Sequence, residues 1–457
     1  MQVGTITMDG YGGIEQVKGE ATGYFHPQKV NGREWFIDPE GNGFFPLGIS
    51  HIYSSDNETT VKDHYGYDQK AWVHDWFEKY RELGYNCAPA GATSPCRDKQ
   101  GFVDVEHIEE YFVAHRFPFV AGVWQFPHPA ELRFDQERQD IFSNYHVDLV
   151  ERRAENTCGR HKENPYLIGY FYGFGGFVQM NRWINTIMAS HPNSAGRTAL
   201  GNLLVDKYRG DVAAFNDIYG TSCTDMNAIK TTEVVYYDDH FNKFSERDYA
   251  KADPRKKHDF EMLVRALAVQ TYKVGYEAIR KHDDNHTILG MYVKAASFEV
   301  DTWREVIRYS DVSTPQHVNP IMPHDELYEA TGKPIFVSDQ VFGNGYDSRV
   351  GKRGLTAAEM AESYEFMIRR VVQDPRVCGL SVCRTLYDLV SGAMRYQHGA
   401  QEGIYDEHGN PRVAIIRKIR EINSALYDHV LNPRSDDDLA QEEALLLSRI
   451  ALSRQPA

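Results

Sequence analysis

The stretch Lys333–Gly345, KPIFVSDQVFGNG, decides the fold that the sequence predicts. It opens near a proline, continues as the apolar run 335–337, and reaches a carboxylate before it becomes glycine-rich. A continuous apolar run of this kind is typical of a buried parallel strand. In a (β/α)8 barrel the reactive groups lie at the carboxyl ends of such strands, so we expect Asp339 to be catalytic. The alternative is that Asp339 only caps the following turn through its side chain.

Similar strands recur along the chain, with helical patterns between them. Such alternation predicts a parallel sheet with crossover helices. We predict one strand ending near residue 51 and seven more at 85–88, 117–124, 164–176, 286–294, 311–317, 334–340 and 377–384. Eight such units close a (β/α)8 TIM barrel.

Segments outside this pattern give the predicted domain organisation. Residues 1–36 contain Asn31-Gly32, a hairpin turn signal, and we expect an N-terminal β-hairpin segment there. The barrel spans residues 37–425. It includes an insertion at 177–258, after the fourth strand, that is far longer than an ordinary βα connection. Residues 426–457 form a helical C-terminal extension.

Charge and hydropathy exclude several classes of partner. The formal net charge is −15, which argues against binding to nucleic acids or to anionic membranes. No apolar run approaches the roughly 18 to 20 residues of a membrane span. Met1–Gly13 is polar and has no signal-peptide pattern. We expect a soluble protein, secreted or periplasmic if a leader was removed and otherwise cytoplasmic, and a homo-oligomer stays open.

No motif indicates a metal or a cofactor, and we expect neither. The sequence has no HExxH or EF-hand pattern, and the glycines of 173–176 lack the GxGxxG spacing of a nucleotide site. Six cysteines are scattered without CxxC spacing. Pairing of Cys87 with Cys96 or of Cys378 with Cys383 depends on geometry, and buried or free thiols are the simpler interpretation.

Three segments resemble motifs of a known group of enzymes. Asp38-Pro39-Glu40-Gly41 looks like a DP-x-G entry to the first strand, and 203–221 (LLVDKYRGDVAAFNDIYGT) looks like an L-x-x-KY-x-x-x-x-x-LN-x-x-(W/Y)GT segment. Residues 285–290 look like an NH-x-x-x-G fifth strand. These motifs resemble clan A glycoside hydrolases, above all the family 50 β-agarases, with a weaker likeness to family 42 β-galactosidases. The resemblance covers roughly residues 35–420 and implies cleavage of glycosidic bonds in a polysaccharide or oligosaccharide substrate.

The sequence departs from this family at the catalytic positions. The family ends its fourth strand in Asn-Glu, whose glutamate is the acid/base, and here Phe174 and Gly175 take those places. The nucleophilic glutamate of the seventh strand is matched by Asp339, which is shorter by one methylene. Residues 315–317 (PQH) replace the family's Asn-x-Tyr. A retaining mechanism needs two carboxyls about 5 to 5.5 Å apart, so we do not expect one in the usual places.

Three hypotheses of function remain. The first is a hydrolase in which Asp339 is the base of an inverting reaction and the insertion supplies the acid from Glu233, Asp238 or Asp239. The second is a polysaccharide lyase that acts by β-elimination on uronic-acid glycans with histidine, tyrosine and arginine side chains. The third is a catalytically inactive barrel that binds carbohydrate. We favour glycosidic bond hydrolysis, since a binding relic need not keep so many titratable residues.

Candidate site residues stand near predicted strand ends or in the insertion. The predicted catalytic residues are Asp339, His317, Asp239 and His240. The predicted substrate-binding residues are His51, Tyr53, His115, Trp124, Tyr172, Tyr237, Arg384 and Tyr387. For His317 the alternative is a core histidine bonded to a carbonyl. For the aromatic residues the alternative is packing in the core.

Overall fold

The fold is described from a computed structural model. It covers residues 6–51, 58–66, 68–89, 97–98, 101–102, 105–125, 140–174, 180–232, 253–294, 298–316, 324–340, 356–385, 403–406 and 409–452.

Four strands near the amino terminus form an antiparallel sheet. They are β1 (Ile14–Lys18), β2 (His26–Val30), β3 (Arg33–Ile37) and β4 (Asn42–Phe44), in the order β1-β4-β3-β2. Asn31 and Gly32 join β2 to β3 with φ of 52° and 82°, as a two-residue type I′ turn requires. The predicted hairpin is therefore present. The sheet also contains β1 and β4, which the sequence analysis does not predict.

Seven parallel strands form the barrel. They are β5 (Leu47–His51), β8 (Phe119–Gly122), β9 (Leu167–Phe174), β10 (Thr287–Lys294), β11 (Pro315–Gln316), β12 (Ile335–Gln340) and β13 (Val377–Thr385), in the order β5-β13-β12-β11-β10-β9-β8. Two further short strands, β6 (Arg97–Asp98) and β7 (Gly101–Phe102), pair only with each other among the described residues.

Residues 86–88 lie between β5 and β8 and complete the ring. The Asn86 amide donates to the Leu47 carbonyl at 3.1 Å. On the other side, the Val120 amide donates to the Ala88 carbonyl at 2.9 Å. The segment predicted as the second strand thus takes the second of eight places, and the predicted (β/α)8 fold is confirmed.

Helices surround the barrel and extend it at the carboxyl terminus. The α-helices of the described residues are α1 (Glu58–Tyr65), α2 (Gln69–Glu82), α3 (Val105–Ala114), α4 (Asn144–His161), α5 (Met180–Ala189), α6 (Ala195–Tyr208), α7 (Val212–Tyr219), α8 (Met226–Thr231), α9 (Pro254–Arg280), α10 (Val300–Val306), α11 (His324–Thr331), α12 (Ala357–Val372), α13 (Val413–Ser424), α14 (Leu426–Leu431) and α15 (Asp436–Leu452). Within the described ranges no helix combines the length and the apolar composition that crossing a membrane requires.

Local signals explain where the helices begin and end. The Asp68 side chain caps α2 by accepting from the amides of Lys70 and Ala71, which satisfies two of the free donors of a helix start. Gly84 follows the helix with φ of 78°, a conformation that favours glycine. Gly220, also in the left-handed conformation, ends α7 in the same way.

Two clusters of buried side chains make up the core. The larger one lies between the sheet and the helices and includes Val337, Leu380 and Val382. The smaller one lies inside the barrel and includes Phe171, Tyr292, Phe336, Leu289 and Cys378. Strands buried on both faces need apolar residues on both faces, which is why their sequences read as continuous apolar runs.

The antiparallel sheet packs against the amino ends of the barrel strands. Phe36 belongs to the inner cluster and meets Phe336 edge to face, with ring centroids 6.4 Å apart. The buried Arg33 donates to the carbonyls of Val372 and Val377, beside the start of β13. This end of the barrel is therefore filled by protein, and a site must lie at the other end.

Candidate functional site

The register of the barrel changes at the carboxyl ends of three strands. Between β9 and β10, Gly290 pairs with Phe171 but Tyr292 pairs with Phe174. One extra residue is therefore present on β9. The same kind of shift occurs at the ends of β12 and β13. β-bulges redirect side chains and are frequent beside active sites, so these three ends form the candidate site.

Each of the three bulges contains a predicted site residue. On β9 it is Tyr172, which stands with Gly173 opposite Met291. On β12, Val337 pairs with Leu380 and Gln340 pairs with Val382, so Ser338 and Asp339 together stand opposite Ser381. That places Asp339 in the irregular part of its strand.

The next bulge lies on β13. Val382 pairs with Ile49 and Thr385 pairs with His51, so two residues of β13 stand opposite the single residue Ser50. Those two are Cys383 and Arg384. The bulges thus bring a carboxylate-bearing and a guanidinium-bearing position to adjacent strand ends.

An aromatic layer closes the barrel interior beneath these ends. Tyr292 lies between Phe171, at 5.4 Å between ring centroids, and Phe336, at 6.2 Å with planes inclined by 23°. Trp124, just after β8, meets Phe171 edge to face at 5.0 Å. The first three rings are fully buried, whereas Trp124 is partly exposed. Trp124 is therefore the ring of this layer that a ligand can reach.

A polar layer follows the aromatic one toward the carboxyl ends. Gln316 of β11 pairs with Ser338 of β12. Ser381 continues the layer on β13, opposite Ser338. The Ser338 hydroxyl donates to the Thr314 carbonyl at 3.2 Å. The Ser381 hydroxyl is buried and has no hydrogen-bond partner among the residues that the structure describes.

Tyr172 and His115 lie away from the barrel mouth. The Tyr172 ring belongs to the outer cluster, and its hydroxyl donates to the Tyr309 carbonyl at 2.7 Å. Burial raises its pKa well above the ordinary tyrosine value. His115 precedes β8, is exposed, and stacks on Tyr111 with ring centroids 4.0 Å apart. Neither side chain faces the strand ends, so we leave both out of the site.

The remaining predicted residues are described in part or not at all. For His51, Asp339 and Arg384 the structure gives the backbone, at the ends of β5, β12 and β13. The predicted residues outside the described ranges are Tyr53, Tyr237, Asp239, His240, His317 and Tyr387.

Sequence reasoning misses Tyr292 and Ser381. Both lie inside strands that are correctly predicted, but an apolar run does not reveal which residues face the interior. The pairing of each strand with its neighbour is needed to assign these two residues to the inner face. The only usable sequence signal is their place near the end of a predicted strand.

The described residues hold no group of three side chains suited to a metal ion. The cysteines Cys87, Cys158, Cys223 and Cys378 are free thiols. Glu299 precedes α10 at its N-cap position without a side-chain capping hydrogen bond, and its pKa is raised to about 7 by burial and by the neighbouring Glu261. This carboxyl pair lies beside α9, in the outer layer.

Comparisons with known proteins relate the fold to carbohydrate-active enzymes. No protein-family model and no curated protein matches the chain. The solved structure of an exo-β-agarase is similar with a TM-score of 0.68 and 16% identity, over 93% of this chain and 68% of that one. An agarase structure gives 0.67 and 16%, over the same shares.

A β-galactosidase from the psychrophilic Marinomonas ef1 is also similar. Its TM-score is 0.53 at 12% identity, over 90% of this chain and 66% of that chain. At such identities the shared property is the fold. The predicted resemblance is confirmed at that level: the chain has the barrel fold of these agarases and β-galactosidases.

Proposed function

We propose that the protein cleaves glycosidic bonds in a polysaccharide or oligosaccharide by hydrolysis, with Asp339 as the catalytic base. The observation that supports this most is the bulge at the end of β12, which places Asp339 beside Ser338 and opposite Ser381. An extra residue in a strand redirects side chains, and at this end of a barrel the mouth is the place where chemistry occurs. The similarity of the fold to agarases adds support.

The proposed reaction is an inverting displacement. Asp339 takes a proton from a water molecule, whose oxygen attacks the anomeric carbon, while an acid gives its proton to the leaving oxygen. Such a pair of carboxyls stands about 6.5 to 9.5 Å apart to admit the water. The acid comes from the insertion, where Asp239 and His240 are the candidates, with Glu233 and Asp238 beside them.

The mouth also offers means to hold a sugar. The Trp124 ring is partly exposed at the edge of the aromatic layer, and an aromatic face suits the apolar face of a pyranose. His51 is the last residue of β5 and Arg384 is the last but one of β13. Both are proposed to donate hydrogen bonds, Arg384 through its fork of donors. Tyr53, Tyr237 and Tyr387 are proposed as further substrate-binding residues, and His317 is proposed as a further catalytic residue.

A polysaccharide lyase is the second candidate. The fourth strand favours it, because Phe174 at the end of β9 and Gly175 after it stand where the hydrolases that the sequence resembles have Asn-Glu. β-Elimination requires a base and a proton donor but no pair of carboxylates, and His317 with a tyrosine would serve.

The experiment follows absorbance at 235 nm and reducing ends in parallel. The substrates are oligomers of agarose, carrageenan, alginate, glucuronan and pectin. Reducing ends without absorbance support hydrolysis, and absorbance supports elimination because only that reaction makes an unsaturated product.

Asp339→Asn should lower the hydrolytic rate by about 10²- to 10⁴-fold, as expected for loss of a general base. Asp301→Asn is the matched control, because Asp301 is 60% exposed on α10 and pairs with Arg304. A fully active Asp339→Asn variant would refute the assignment of the base.

A further inference from the structure

We propose that the protein binds an uncharged sugar unit of its polysaccharide substrate at a second site, a cleft on the outer surface between helices α12 and α14. The inference rests on the proposed function for the class of ligand, and it adds a site apart from the barrel mouth. The cleft has a volume of about 290 Å³, close to the lower limit of ligand pockets at about 300 Å³. It is lined by Arg369, Gln373, Asp428, His429, Asn432 and Arg434.

The cleft lies toward the amino ends of the barrel strands. Gln373 and Asn432 are the C-cap residues of α12 and α14, and β13 begins shortly after Gln373, at Val377. β13 has nine residues, so its two ends are roughly 26 Å apart. The mouth lies at the far end of that strand. The cleft and the mouth would therefore bind different sugar units of one polymer.

The charge of Arg369 is balanced by its neighbours. Its guanidinium donates to the Glu365 carboxylate through Nε at 3.1 Å and pairs with it through Nη2 at 2.9 Å. The same carboxylate pairs with Lys418 at 2.8 Å, and Lys418 also pairs with Glu421 at 3.2 Å. These four side chains carry two positive and two negative charges. They leave no excess cation for an anionic ligand.

The remaining groups give the cleft an excess of one negative charge. Arg434 pairs with Glu442, and the exposed Asp428 forms no ion pair with another described residue. Burial, and next the positive charge of Arg369, lower the pKa of His429, so its ring is uncharged at neutral pH. The cleft therefore disfavours an anion, and an uncharged ligand fits it better.

Several hydrogen-bonding groups of the cleft remain available. The Nε2 atom of His429 is buried and has no hydrogen-bond partner within the described ranges, which costs free energy until a partner is supplied. The side-chain oxygen of Gln373 accepts from the Arg434 amide at 3.2 Å, and its amide nitrogen remains to donate. Asn432 and Asp428 are both exposed where they line the cleft.

These groups match the hydroxyls of a sugar ring, each of which can both donate and accept. Gln373 and Asn432 offer amide donors, and Asp428 and Asn432 offer acceptors. The uncharged ring of His429 has one donor nitrogen and one acceptor nitrogen. Sugar rings follow one another along the proposed substrate, so a contact at the cleft would raise the effective concentration of the polymer at the enzyme.

The test records the ring signals of the histidines by NMR while agarose oligomers are added. Agarose is the uncharged polymer among the substrates named for the activity assay, and His429→Gln identifies the signal of His429. We expect this signal to shift and to saturate with a dissociation constant on the order of 1 mM. Alginate oligomers, which are acidic, should leave the signal in place.

Variants of the exposed amide assign the contact. Asn432→Ala should weaken the binding that the His429 signal reports by about 2- to 10-fold, the value of one neutral hydrogen bond. The matched control is Asn193→Ala, because Asn193 is exposed in the loop between α5 and α6, and it should bind as the unchanged protein does. Thermal unfolding establishes that each variant is folded, and the titration of the unchanged protein needs no variant.

Other results separate this inference from the proposed function. No shift of the His429 signal with agarose oligomers, a shift with alginate oligomers alone, or unchanged affinity in Asn432→Ala would overturn the inference. A shift without release of reducing ends from any of the five glycans would support the second site and reject the proposed reaction. Release of reducing ends without a shift would support the reaction and reject the second site.

Discussion

The hydroxyl oxygen of Tyr80 accepts a hydrogen bond from the Ile49 amide at 2.6 Å. The same hydroxyl donates to the Cys87 carbonyl at 2.7 Å. One side chain of helix α2 thus connects β5, the first barrel strand, to residues 86–88, which take the second strand position of the barrel. Burial raises the pKa of Tyr80 well above its ordinary value, so the hydroxyl keeps its proton at any physiological pH.

Tyr80→Phe should destabilise the barrel by about 1–3 kcal/mol, because it leaves a buried amide without an acceptor. Urea unfolding measures the change. Tyr145→Phe is the matched control, since Tyr145 is 47% exposed. Equal midpoints for the two variants would mean that the hydroxyl does not hold these segments together.

Stability should fall as the pH rises, because of the carboxyl pair Asp9 and Asp38. Burial, and next the neighbouring Asp9 carboxyl, raise the pKa of Asp38 to about 7. The Asn42 side-chain amide donates to the Asp9 carboxylate. A raised pKa in the folded state means that the folded protein binds the proton more tightly. The contribution of Asp38 to folding stability is then fully present below about pH 4 and is lost as the pH rises through about 7.

The unfolding midpoint of the unchanged protein should therefore decrease between pH 5 and pH 8. Asp38→Asn should flatten this dependence, since the amide cannot lose a proton and still accepts from the Glu40 and Asn42 amides. Denaturant unfolding over a pH series measures both. A variant with an unaltered slope would show that another group titrates.

Helices α6 and α7 are held to α9 through Asp259. Tyr208 and Tyr219 both donate to its carboxylate at 2.6 Å, and Lys207 pairs with it. Asp259→Ala should destabilise the protein by about 1–3 kcal/mol, because it removes the carboxylate that accepts from both tyrosine hydroxyls and pairs with Lys207. Limited proteolysis should cut residues 195–232 faster in this variant.

Two further variants test the assignment to Asp259. Replacing both tyrosines by phenylalanine in the Asp259→Ala background should recover part of the loss, because the two hydroxyls that donated to the carboxylate are then absent. Asp217→Ala is the exposed control, with a side chain 70% accessible, and should change stability by less than about 0.5 kcal/mol.

Trp124→Ala should weaken oligosaccharide binding by about 10-fold, on the scale of a stacking contact. Trp124→Phe should keep part of the affinity, because a ring remains beside Phe171. The dissociation constant is the quantity to measure, and thermal unfolding tests whether the fold is retained. Unchanged affinity in Trp124→Ala would remove this residue from the proposed site.

Most of the fold is predictable because buried parallel strands and capped helices leave strong local signals. The apolar run that begins at Ile335 and the Asp68 and Gly84 boundaries of α2 are examples. By contrast, β4 has three residues, NGF, and is defined by pairing with strands on both sides. Such pairing leaves no pattern in its own sequence.

The candidate site is predictable only in part, for a physical reason. A strand buried on both faces is apolar on both faces, so its sequence does not reveal which residues point inward. Tyr172 shows the consequence: it stands near the end of β9 but its ring packs in the outer layer. A bulge adds one residue to a run of similar residues, and pairing with a neighbouring strand is needed to detect it.

The sheet at the amino terminus bears on how the protein is made. Phe25, Phe36 and Phe44 are synthesised first, but they pack with residues as late as Cys378. The hydrogen bond from Arg33 to Val372 spans 339 residues. These early aromatic residues have no complete partner surface until the eighth strand is available. The barrel should therefore fold slowly, with a long-lived stage prone to aggregation, and chaperones present during synthesis should increase the yield.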